Sequence, residues 1–230
     1  MRTRRIILCA AVAAALSAAA VTTARAQKEG WQAKPYQQWT KEEVQRILTE
    51  SPWAQTSAQS GQIVGSSMSA DKVYTLRLRS ALPIRHALLR LRQLNDKYDS
   101  MSAEKKAEFD EKNKPLVECP ACADNYVVSL VPPAQGDARR VSLDRMKLFV
   151  RLVDDRGRER QLVHFVPHKT TGQELVFFFP KFDDKGEPLV TPATKKVVFT
   201  IDTSVIGLDA TTRRFEFDVS KMTAGGKVEF

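Results

Sequence analysis

In several segments between residues 72 and 230, apolar side chains return at every second position. Tyr74, Leu76 and Leu78 alternate with Thr75, Arg77 and Arg79. Tyr126, Val128 and Leu130 do the same within Asn125–Val131, and Leu148, Val150 and Leu152 within 146–153. Val197, Phe199 and Ile201 repeat the pattern, as do Phe215, Phe217 and Val219. Residues two apart in a strand share a face, so the pattern describes strands buried on one side and solvated on the other. The 175–179 segment is apolar throughout and reads as a central strand. Roughly eight strands in this span predict an antiparallel β-sandwich, mostly β with α additions. An immunoglobulin-like topology is one specific form. Its usual marker, two cysteines on facing sheets around a buried tryptophan, is absent.

Helical signals flank and interrupt the strands. Thr40-Lys41-Glu42-Glu43 has the form of a capping box, with Val44, Ile47 and Leu48 following at helical spacing and Ser51-Pro52 ending the helix. Residues 27–70 therefore read as a short N-terminal helix and a linker, the linker being the Ser-, Gly- and Gln-rich 55–70 stretch. A second signal begins at Pro83, where Ile84, Leu88, Leu91 and Leu94 share a face. Ser102 can cap a charged helix running to about Lys112, with Asn113-Lys114-Pro115 as its stop. The expectation is an αα-hairpin at about 83–113, spliced into a sandwich domain at 71–230.

The first 26 residues read as an export signal. Arg2, Arg4 and Arg5 precede an apolar run over 6–21, and Ala24-Arg25-Ala26 offers small residues to a signal peptidase. Arg4-Arg5 followed by Ile6-Ile7-Leu8 also resembles a twin-arginine signal, although an ordinary Sec signal accounts for the same residues. Either route places the mature chain in the periplasm or outside the cell, with no integral span after cleavage. Its formal charge falls from +9 to +5, because four arginines leave and no acid does. The remaining basic residues are scattered and not interleaved with aromatics, which argues against a nucleic-acid groove. A membrane barrel is also a poor reading, since four tyrosines and three tryptophans cannot supply two aromatic girdles.

Few residues point to chemistry. Cys119-Pro120-Ala121-Cys122 holds the only cysteines left after signal removal. One reading is a disulfide clip, worth about 2 kcal/mol on the chain-entropy model. A second is thiol–disulfide exchange, which favours a cysteine at a helix N-terminus. A third is zinc, shared with His164 and His168. An extended His164–His168 segment would hold its rings roughly 13 Å apart, too far for one ion. Ala123 stands where covalent haem attachment needs histidine. Asp154-Asp155-Arg156-Gly157 and Asp183-Asp184-Lys185-Gly186 echo each other as turns and lack the spacing of a calcium loop. Trp31, Trp39 and Trp53 either pin the first helix to the main domain or form an aromatic binding surface. Packing is preferred, because large aromatics are usually buried. No hydrolase elbow, phosphate loop, dinucleotide fingerprint or zinc-protease motif occurs.

Trp39-Thr40-Lys41-Glu42-Glu43, then Ser51-Pro52-Trp53, then Cys119 and Cys122 leading into Tyr126-Val127-Val128-Ser129-Leu130, resembles an uncharacterised group of exported bacterial proteins. The resemblance implies export and a single domain, and brings no activity or ligand. The functional expectation is an exported, non-enzymatic binding or envelope-associated module without a cofactor. Its partner would be a protein or other envelope component rather than nucleic acid. The alternative is a thiol–disulfide redox protein using Cys119 and Cys122.

Overall fold

A computed structural model describes residues 30–59, 72–133, 136–170, 173–208 and 210–230. The expected export signal and most of the expected linker lie outside these residues. In chain order the elements are α1 (Lys41–Glu50), β1 (Ala54–Gln59), β2 (Lys72–Leu78), α2 (Leu82–Asn95), α3 (Ala103–Glu118) and β3 (Asn125–Val131). Then come α4 (Leu143–Lys147), β4 (Val150–Asp154), β5 (Glu159–Arg160), β6 (His164–Val166) and β7 (Leu175–Pro180). The chain closes with β8 (Lys196–Asp202), β9 (Thr212–Asp218), β10 (Thr223–Ala224) and β11 (Lys227–Val228), with short 3₁₀ turns between several elements.

Two antiparallel sheets make the body. The first runs β1-β2-β3-β7-β6 and the second β5-β4-β8-β9, while β10 and β11 form a separate hairpin. The alternating residues meet between the sheets: the Phe177 and Phe179 rings of β7 lie 5.4 and 6.3 Å from the Phe199 ring of β8. Leu76, Leu78, Val128, Leu130, Leu152 and Phe217 are buried in the same cluster. The expected mostly-β sandwich with helical additions is what the chain forms. Its first three strands are neighbours in one sheet, unlike the A-B-E-D order of an immunoglobulin sheet.

Four local expectations need correction. Ala54–Gln59 is an edge strand paired with β2 rather than loose linker. It escapes periodicity because an edge strand with a solvated side needs few apolar residues. Residues 143–147 form α4 instead of the start of a strand, capped by the Ser142 side chain accepting from the Arg145 amide, and Leu148 is 72% exposed. Val219 sits in a 3₁₀ turn after β9. The hairpin's second helix continues through Pro115 to Glu118. Proline removes one helical N–H there without ending the helix.

The first helix forms as its residues dictate. The Thr40 hydroxyl accepts from the Glu43 amide at 3.2 Å, and the Glu43 carboxylate accepts from the Thr40 amide at 2.8 Å. Val44, Ile47 and Leu48 are buried, and α1 packs on α2 and β1. The α2–α3 hairpin lies between β2 and β3 in sequence. Its return leg leads into β3, where Val127 and Ser129 are buried as well as Tyr126, Val128 and Leu130. This strand is covered on both faces.

Candidate functional site

The cysteine pair sits where α3 turns into β3. Cys119 ends the helix in the left-handed conformation, at φ 46°, and its amide donates to the Pro115 carbonyl at 3.0 Å. Pro120–Cys122 is one 3₁₀ turn, closed by the Cys122 amide donating to the Cys119 carbonyl at 2.8 Å. A disulfide joins Cys119 to Cys122, with Cα atoms 5.3 Å apart. The Asn125 side-chain amide donates to the Ala121 carbonyl at 3.1 Å and ties the loop to the first residue of β3. Cys119 thus stands at the C-terminal, negative end of a sixteen-residue helix. That end raises the cost of a thiolate, whereas exchange centres use the positive N-terminal end.

The turn also forms one wall of an apolar groove of about 320 Å³. The floor is the outer face of the first sheet, through Val127, Val166, Val176 and Phe178, opposite the face that meets the second sheet. Pro115 and Leu116 of α3 join Cys119, Pro120 and Ala121 in the wall. The ionisable side chains lining the groove are Arg79 and Arg85. Arg79 pairs with Glu174 at 3.2 Å, and Glu174 also takes Arg77 at 3.4 Å and the Ser129 hydroxyl. Arg85 donates through Nη1 to the Val117 carbonyl, while its buried Nε has no hydrogen-bond partner. Burial holds the Arg85 guanidinium below its ordinary pKa, with Glu229 pulling the other way. Lys181 is likewise lowered, first by burial and then by the Arg85 charge, against Asp124 and Glu229.

A second groove, about 480 Å³, lies between α2, α3 and the Tyr36–Gln38 turn. Several of its polar side chains are held in hydrogen bonds. The Tyr98 hydroxyl donates to Asp110 at 2.8 Å, a bond that, with burial, pushes the phenol up to about 12. Tyr36 is raised too, by burial and by Asp110. Asn113, buried at the same wall, accepts from Arg92 at 2.7 Å and donates to the Phe109 carbonyl at 2.7 Å.

The histidines go separate ways. His164 faces outward from β6, its ring 5.1 Å from that of Phe178. His168 is buried; its Nε2 accepts from the Ala138 amide at 3.0 Å and lies 3.3 Å from the Asp137 carboxylate. That carboxylate is held well below its ordinary pKa, chiefly by the Arg139 side chain. Among the described residues no three His, Cys, Asp or Glu side chains gather as a metal site. The cysteines are bonded to each other, so the zinc reading of His164 and His168 with Cys119 and Cys122 has no support here.

Trp31, Trp39 and Trp53 are brought together, but inside. Trp31 lies 5.5 Å from Trp39 and 6.2 Å from Trp53, both edge-on, and all three are buried. The Trp39 ring N–H donates to the Trp31 carbonyl at 2.9 Å, and that of Trp53 to the Glu229 carbonyl at 2.7 Å. They stitch the N-terminal segment to the body and to the last residues of the chain. The aromatic binding surface is therefore corrected to a packing cluster.

Val166, Val176, Phe178 and Arg85 were not singled out by motif. One signal did carry part of the groove: residues 175–179 are apolar at the outward positions Val176 and Phe178 as well as the inward ones. No family model, curated protein or solved structure matches the chain.

Proposed function

We propose that this protein is an exported, non-enzymatic binding module of the cell envelope whose contact site is the groove beside the disulfide turn. The carrying observation is an outward sheet face that is apolar where most outward sheet positions are polar, walled by a covalently braced turn. A closed disulfide suits an oxidising compartment, and the basic–apolar–small pattern of residues 1–26 suits export. Among the described residues no helix is long and apolar enough to cross a membrane. The test is the melting temperature of the protein with and without a detergent-free extract of bacterial envelope. The expected result is a rise with extract that Val166→Glu abolishes. Equal melting with and without extract would count against the reading.

A redox role is the second reading, favoured by one observation: Cys119 lines the groove and is not sealed in the core. Its site at the negative end of α3 opposes it. An insulin-reduction assay separates the two. Wild type and Cys119→Ser should show the same negligible rate; turnover in wild type that the variant loses would make exchange the function.

A further inference from the structure

We infer that the groove takes a single-chain amphiphile with a carboxylate head, of the long-chain fatty-acid type. This deepens the binding-module reading and rests on it. Two features set the ligand chemistry. The floor and walls offer methyl groups, rings and methylenes, so the bulk of an occupant must be apolar. The ionisable groups in the lining are both guanidinium, and neither can accept a hydrogen bond. A polar end placed there must be an acceptor, and a carboxylate matches the guanidinium fork in shape and charge.

The two arginines are not equivalent. Arg79 already has Glu174. Arg85 spends one nitrogen on the Val117 carbonyl, and its Nε is enclosed without a hydrogen-bond partner. Lys181 stands close enough to Arg85 for the two charges to oppose each other, and Asp124 and Glu229 are the acids that face them. A carboxylate in the groove would set an opposite charge beside the Arg85 guanidinium and reduce the repulsion with Lys181. An uncharged chain of the same length would not. The volume is at the small end for ligand sites, which fits one alkyl chain rather than a two-chain lipid.

Isothermal titration of the protein with dodecanoate below its micellar concentration tests the assignment. Dodecanoate should bind once per chain, and dodecanol about tenfold more weakly or worse. Val166 is 40% exposed, so Val166→Glu should fold, place a like charge on the floor, and weaken dodecanoate about tenfold or more. Val73→Glu, a 45% exposed valine on β2 outside the groove, should bind as wild type does. Absence of dodecanoate binding, equal affinity for dodecanol, or unchanged binding in Val166→Glu would each overturn the proposal. If dodecanoate fails while envelope extract still raises the melting temperature in a Val166-dependent way, the carboxylate ligand is wrong and the binding-module reading stands.

Discussion

Asp154 and Asp183 each stand at the head of a turn in which one carboxylate oxygen takes two backbone amides. Asp154 accepts from Arg156 at 2.9 Å and Arg158 at 2.8 Å; Asp183 accepts from Lys185 and Glu187, both at 2.9 Å. Gly157 and Gly186 occupy the left-handed position that closes each loop, at φ 79° and 78°. These carboxylates spend themselves on backbone donors, which is why the turns are structural and not calcium loops. Asp154 has the larger role: its side chain is fully buried and also accepts from Arg158 Nε at 2.7 Å. Arg158 in turn donates to the Leu189 carbonyl at 2.8 Å, so the first turn is tied to the chain following the second. Asp154→Ala should cost about 3 kcal/mol in urea unfolding, since it strands enclosed amides and a guanidinium. Asp183→Ala, at a more exposed site, should cost visibly less. Equal losses would contradict this division. The turn residues were readable from sequence because Asp and Gly act locally. Arg85 was not, since its meaning depends on a helix end 32 residues away.

At the scale of elements, the inserted hairpin decides where a site can form. Helix α3 carries Pro115 three residues before its last, and the residue reads as a stop because its ring removes a helical donor. The helix runs on because its last turn is held from outside: Arg85 of α2 caps the Val117 carbonyl, and the disulfide turn fixes the exit. Pro115→Ala should restore the missing bond and raise stability by about 2 kcal/mol, the helix-interior penalty of proline less its restriction of the unfolded chain. A loss of stability would mean that the ring's packing in the groove wall outweighs the backbone term. Strands β2, β3, β8 and β9 were legible because apolar residues recur at alternate positions along them, and β7 because it is apolar throughout. Strand β1 was not, because Ala54–Gln59 is almost wholly polar and its strand character comes from β2 beside it.

Over the whole molecule, acid stability follows from which groups fold into shifted environments. His86 lies stacked on Tyr36, ring centroids 4.3 Å apart, and its pKa is lowered by burial and by Arg85. The unfolded chain therefore takes up that proton first, and stability declines as pH falls below about 6.5. Asp183, Asp202 and Glu43 are also lowered, chiefly by backbone amides of Glu187 and Ser204 and by Lys34 respectively. Their contribution is complete above the ordinary carboxylate range and is lost below about pH 4. Urea midpoints should thus fall in two steps, and His86→Phe should remove the upper one. The two-sheet body was written in period two and was read from it. The groove was not, because it is made by the outward faces of one sheet meeting a hairpin inserted elsewhere in the chain. The most direct test of that geometry is a methyl NMR titration with dodecanoate. Val127, Val166 and Val176 should shift together, while Val197 and Val198 of the second sheet stay in place. Shifts centred on the second sheet, or on Leu89 in the α2–α3 groove, would contradict the account.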